Sequence, residues 1–241
     1  MNRFKASAIH LFGSACVIGV FFLLVRQVWY PGQLFSAAAG AELLRLLICV
    51  DVILGPLITL IIFDTKKKKL RQDMFIVLFC QLCFLVYGFW SIFSVRPVYF
   101  ALVGDQFYMV RANEIDSVDQ NRAKNALFRQ LPITGPEFVG TIEPDDQKIK
   151  NDLVFSSLAG MGLQNLPQYF VPFAQVQPQV RAVAKTSQQF KTITSETRLR
   201  LKNYELAHPT SAVAFVPLVF KAGQLFVVVK AGNGEVIEII K

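Results

Sequence analysis

The sequence predicts a membrane protein in two parts: three N-terminal transmembrane α-helices, then an α+β domain built from an antiparallel β-hairpin, covering helices and a C-terminal β-meander. Three observations carry that prediction. Apolar residues make up 53% of the 241, and before residue 95 they form three long blocks, residues 6–25, 43–63 and 74–93. At 1.5 Å per residue each block makes a helix of about 30 Å, the thickness of a bilayer's hydrocarbon core. Beyond Arg96 polar and apolar residues mix, and near the C-terminus the apolar period shifts from helical to alternating.

The first block has the basic start of a secretory signal (Arg3, Lys5). Its small-residue stretch, residues 36–39, lies more than ten residues beyond the apolar run, past Arg26, Trp29, Tyr30 and Pro31. That distance is too long for a cleavage region, so the block is read as a retained anchor. Basic residues set the orientation. Arg3 and Lys5 precede span one, and Lys66, Lys67, Lys68, Lys69 and Arg71 join spans two and three, whereas residues 26–42 carry only Arg26. The positive-inside rule places the N-terminus and the lysine loop in the cytoplasm and the C-terminal domain on the outer face. Trp29, Tyr30 and Trp90 are expected as interfacial anchors.

The formal charge of +8 divides along the same boundary. Residues 1–95 hold nine Lys/Arg and four Asp/Glu, and residues 96–241 hold sixteen and thirteen. Most of the excess is topogenic, so the charge gives no reason to expect a nucleic-acid partner. All four cysteines, Cys16, Cys49, Cys80 and Cys83, fall in the spans. Cys80 and Cys83 have redox-motif spacing but sit inside a helix rather than at an exposed helix N-terminus, and are read as small apolar filler.

In the second part, residues 98–103 and 107–111 flank Gly104, Asp105 and Gln106 as a hairpin. A helix is expected from Asn113 to about Phe128, a loop from Pro132 to Pro144, and a second helix from Pro144 closing on Gly160. A loop with Tyr169, Phe170 and Phe173 follows. Val176, Val180 and Val183 share one helical face, and residues 187–206 form an amphipathic helix. Residues 212–220, 225–230 and 236–240 are strands of a meander, with helices covering one face of the sheet.

Catalysis finds little support. His208 stands beside Pro209 in a loop, Asp145 and Asp146 answer a helix macrodipole, and no nucleophile motif, phosphate loop or metal-ligand spacing occurs, so neither an enzyme nor a cofactor is expected. His10 is read as interfacial. The polar residues of span two remain. Asp51 lies eight positions past Leu43, about 12 Å along the helix. A central Asp or Arg costs about 2.5–3.5 kcal/mol on insertion, against a gain of about 0.3–0.6 for each Leu, Ile, Val or Phe. The fifteen such residues of span two yield about 5–9 kcal/mol, enough to carry Asp51 and the less central Arg45. Pro56 lacks an amide donor and crowds the Val52 carbonyl, bending the helix beside Asp51. Arg45, Asp51, Gly55 and Pro56 are therefore the candidate intramembrane polar site.

Val50, Asp51, Leu54, Gly55, Pro56, Leu57, Thr59, Leu60 and Phe63, followed by lysines, resemble span two of the type IV pilin accessory proteins. The similarity continues in order through Arg96-Pro97-Val98-Tyr99, Leu131-Pro132 with Thr134-Gly135-Pro136, Asn151-Asp152-Leu153 with Phe155 and Ser156, and Leu166-Pro167 with Tyr169-Phe170-Val171-Pro172-Phe173. One position departs: the family commonly has Asp-Arg-Phe where this chain has Asp105-Gln106-Phe107. The resemblance implies a multi-pass protein of the bacterial inner membrane with a periplasmic domain. It implies a chaperone-like factor without enzymatic activity that serves a cognate major type IV pilin, in contact with the pilus assembly machinery. It marks Asp105, Phe107, Gly135, Pro136, Asn151, Asp152, Tyr169 and Pro172 as motif residues of the outer domain. The alternative is a periplasmic ligand sensor or transporter accessory.

Overall fold

The computed structural model describes residues 2–37, 40–158, 161–209, 212–221 and 223–241. They fall into two compact units, Met1–Arg96 and Pro97–Lys241.

The first unit is helical. α1 (Arg3–Leu24) is capped by Asn2, whose Oδ1 accepts from the Lys5 amide at 2.9 Å, and it widens into a π-helical turn over Val25–Trp29. A short α2 (Leu34–Ala37) precedes α3 (Gly40–Ile48), a second π-helical segment (Cys49–Leu54) and α4 (Gly55–Ile62). α5 (Leu70–Ser94) completes the unit. Three stretches, Arg3–Trp29, Leu44–Ile62 and Leu70–Ser94, are long and apolar enough to cross a membrane. They expose large side chains such as Phe12, Ile61, Phe79 and Trp90, as lipid-facing helices do.

Trp29 and Tyr30, expected as interfacial anchors, pack inside the unit. Trp29 is 3% exposed and packs against Phe89 and Phe93, with ring centroids 5.5 and 5.4 Å away. Tyr30 is 1% exposed and its hydroxyl donates to the Val95 carbonyl at 3.2 Å. A large ring with one polar tip serves helix packing here because the tip finds a partner inside the unit. All four cysteines are free and exposed on helix surfaces, so they do not fill a core.

The second unit is a seven-stranded mixed sheet, in the order β4-β3-β1-β2-β5-β6-β7. β1 (Pro97–Val103) and β2 (Gln106–Arg111) pair antiparallel through a turn with Gly104 at φ +63°. β3 (Glu137–Thr141) lies parallel to β1, and β4 (Phe170–Pro172) closes that edge. β5 (Val213–Phe220) runs parallel to β2, and β6 (Gly223–Lys230) and β7 (Val236–Ile240) follow antiparallel.

The register places Tyr99, Val139, Val110, Phe215 and Val228 on one face and Phe100, Phe107, Phe138 and Leu218 on the other. On the first face, Ile115 and Phe128 cover Tyr99 and Phe170, while Leu201 of α9 (Ser195–Ala207) joins Phe190, Phe215 and Phe226. On the second, α8 (Phe173–Val183) brings Phe173 against Phe107 and Phe138, and Val176 against Gly140. Both faces are therefore covered, against the expectation of one. The continuously buried β1, from Pro97 to Leu102, is what two-sided cover requires.

Five other expectations are corrected. Residues 113–128 do not form one helix: a 3₁₀ turn (Ala112–Glu114), α6 (Ser117–Asn121) and another 3₁₀ turn (Ala126–Phe128) replace it. Asp116 caps Val118 and Asn125 caps Leu127 through side-chain oxygens, local bonds that compete with a continuous helix. The expected loop at 132–144 contains β3. The loop at 166–173 contains β4, whose Val171 pairs with Gly140. The helix expected over 187–206 begins at Ser195, where Thr194 Oγ1 accepts from the Thr197 amide at 3.2 Å. α7 (Gln147–Leu158) starts later than expected, with Asp146 Oδ1 accepting from the Lys148 amide at 2.7 Å; its expected end, Gly160, lies outside the described residues.

Candidate functional site

Pro56 organises the second spanning helix. Its ring excludes an ordinary i→i−4 bond to Val52, and the turn before it opens, so that the Gly55 amide bonds to the Val50 carbonyl, five residues back. Asp51 sits within this π-helical segment and is 5% exposed. The Pro56 carbonyl accepts from Ser7 Oγ at 2.8 Å, and one turn on, Thr59 Oγ1 is 2.6 Å from His10 Nδ1. His10 thus joins two helices. Gly55 lies under Gln81 of α5, and a Cβ at Gly55 would fall 1.7 Å from the Gln81 amide nitrogen.

Asp51, Thr59, His10, Ser14 and Gln81 line one cleft of about 450 Å³, otherwise walled by aliphatic side chains including Ile9, Val17, Leu78 and Leu82. Asp51 Oδ2 is buried without a hydrogen-bond partner, and the buried Gln81 amide, which faces the His10 ring, leaves hydrogen-bonding capacity unused. Each unsatisfied buried atom costs about 1–3 kcal/mol relative to a satisfied one, so the cleft holds a concentrated destabilising term in an otherwise apolar bundle. Of the four expected intramembrane residues, Asp51 alone lines the cleft, while Gly55 packs against Gln81 and the Pro56 carbonyl bonds to Ser7. Arg45 is exposed on α3 and does not line the cleft. Gln81 escaped the sequence reading, although a glutamine near the middle of an apolar block is the signal that marks it.

The outer-domain motif residues scatter. Phe107 is fully buried between Phe138 and Phe173. Asp105 is exposed at the β1–β2 turn, 3.0 Å from Lys185 Nζ, and Gln106 donates to the Tyr108 hydroxyl. Gly135, at φ +123°, and Pro136 lead into β3. Asn151 and Asp152 are exposed on α7, where Asn151 Oδ1 accepts from Gln147. Only Tyr169 and Pro172 share a cleft, of about 750 Å³, with Lys124, Glu143, Asp145 and Gln168. The Tyr169 carbonyl accepts from the Ile142 amide at 3.0 Å, so its backbone closes the β3–β4 edge. Most of the motif is thus turn and core chemistry. Among the described residues no group of His, Cys, Asp or Glu is arranged to hold a metal.

No family model matches the chain, and no solved structure is significantly similar to it. Three relatives from Dichelobacter nodosus are. "Fimbrial assembly protein, serogroup I" is 25% identical over 234 residues, 95% of this chain and 91% of its own length. The serogroup E1 protein is 25% identical over 201 residues, 82% of this chain and 78% of its own. The protein of serogroups C1 and C2 is 33% identical over 96 residues, 39% of this chain and 73% of its own. On that identity and coverage, the chain belongs to the family of fimbrial assembly proteins.

Proposed function

We propose that this protein is an accessory, chaperone-like factor of the bacterial inner membrane that binds a cognate type IV pilin and supports its stability and assembly into pili. The observation that carries the reading is similarity over 95% of the chain to a protein named for fimbrial assembly. It embraces both the spanning helices and the second unit, so the similarity is not confined to one motif. In this reading the N-terminus and the lysine loop, Lys66 to Lys69, face the cytoplasm and the sheet unit faces the periplasm, in reach of the assembly machinery. The bilayer and the pilin are its partners, nucleic acid is not, and no chemistry is assigned to it.

Arg45 is exposed on α3, toward the proposed outer end of span two, where it would pair with an acidic residue of the incoming pilin helix. Deleting the gene lowers cognate pilin abundance and surface piliation, read by immunoblot and microscopy, and Arg45→Leu reproduces part of that loss. Unchanged pilin and piliation in the deletion strain would overturn the reading; unchanged values in Arg45→Leu alone would overturn the pairing. The ligand-sensing alternative rests on the 750 Å³ cleft beside Tyr169, and predicts instead that pilin levels are independent of the gene.

A further inference from the structure

We infer that the Asp51–Gln81 cleft is the slot in which a polar side chain of the pilin's membrane helix docks; the inference rests on the pilin-binding reading above. Asp51 lies two residues from the midpoint of Leu44–Ile62, and Gln81 one residue from that of Leu70–Ser94, so both stand at mid-membrane depth. Asp51 is 95% buried, yet its Oδ2 has no partner, and the Gln81 amide, which faces the His10 ring, leaves hydrogen-bonding capacity unused. Together they present acceptors and a donor. The complementary group is one that both gives and takes a hydrogen bond: a hydroxyl, a carboxamide or a protonated carboxyl.

The walls decide how such a group arrives. Ile9, Leu78 and Leu82 line the cleft and are 64, 52 and 56% exposed, so its rim faces the hydrocarbon of the bilayer. A water-soluble ligand does not approach from that side, whereas a second transmembrane helix delivers a polar side chain there without leaving the membrane. The cavity of about 450 Å³ admits a side chain but not a helix, so the partner's backbone runs along the rim. Gly55 leaves room for the Gln81 amide, which any Cβ there would displace.

The test places a photo-crosslinking amino acid at single exposed positions of the full chain in its own membrane and blots for pilin. Ile9 and Leu82 report the rim. Phe75 and Trp90, 69 and 63% exposed and outside the cleft lining, report other lipid faces, and Leu199, 58% exposed, reports the sheet unit. Pilin is captured from Ile9 and Leu82, and the double variant Asp51→Leu, Gln81→Leu lowers that capture at least about tenfold while leaving capture from Leu199. Because the replacements remove unsatisfied polar atoms, the purified double variant melts at or above the wild-type temperature. A lower melting temperature would assign both residues to helix packing and overturn the inference. Capture of a second copy of this chain from the rim, or of pilin only from Phe75, Trp90 or Leu199, also overturns it; the latter leaves the pilin-binding reading standing. Capture of pilin from none of the positions overturns both.

Discussion

Replacing Gly234 by alanine perturbs the second unit at a point where two penalties coincide. Gly234 has φ +73°, in the left-handed region, and a Cβ there would sit 2.5 Å from the Gln177 carbonyl oxygen and 3.2 Å from the Arg181 amide nitrogen of α8. Left-handed backbone costs an L-residue about 1–2 kcal/mol. The clash is with main chain, so it is relieved only by moving α8 away from the β6–β7 turn, an overpacking cost of about 1–3 kcal/mol. The sum of about 2–5 kcal/mol is a large share of the 5–15 kcal/mol that stabilises a typical domain, and lowers its melting temperature by roughly 5–20 °C at this size.

Both tryptophans, Trp29 and Trp90, lie in the helical unit, so tryptophan fluorescence does not follow this transition. Amide exchange of peptides from β6, β7 and α8 does. Gly232→Ala supplies the control, two residues away with nothing within 4 Å and no left-handed φ, and leaves exchange unchanged. If Gly234→Ala exchanges like Gly232→Ala, α8 does not pack on this turn and the reasoning fails.

Two further outcomes follow from packing and titration. Gly140→Val drives a side chain into Val176, whose Cγ1 lies 2.3 Å from the Cβ position and whose Cβ lies 2.9 Å away. It destabilises the sheet unit by about 1–3 kcal/mol in denaturant unfolding, and Val176→Ala restores part of the loss. Tyr204 donates to Glu238 Oε1 at 2.6 Å, and burial with that hydrogen bond raises its pKa to about 12. Because the folded value lies above the ordinary one near 10, the contribution is complete below pH 10 and is lost as pH rises toward 12. Alkaline unfolding of Tyr204→Phe lacks that step; an identical profile for the two proteins would refute the assignment.

What could be read from the chain follows from the range of the interactions involved. Span lengths, the Gly104 turn and the β runs near the C-terminus are local, carried by composition and period. β3 was hidden because its pairing partner, β1, is more than thirty residues away; Thr134-Gly135-Pro136 gave only the turn chemistry before it. The broken segment at 113–128 was misread because Asp116 and Asn125 cap separate turns, a choice that helical periodicity does not encode. At the cleft, Asp51 and Pro56 were visible as breaks in an apolar run. Which helix faces them was not, and so the meeting of Gly55 with Gln81, and of Thr59 with His10, came only from tertiary packing.

The parallel pairing of β2 with β5 has a consequence for how the protein is made. Phe107 pairs with Leu218, 111 residues later in the chain. At synthesis rates of about 5–20 residues per second, β2 emerges roughly 6–20 s before its partner. Through that interval the inner edge of the first hairpin is an open template, while its other edge waits only for β3. Newborn chains are therefore exposed to mispairing with one another before the last strands arrive. Truncation before Val213 would make that transient state permanent, yielding an aggregating fragment rather than a smaller working domain.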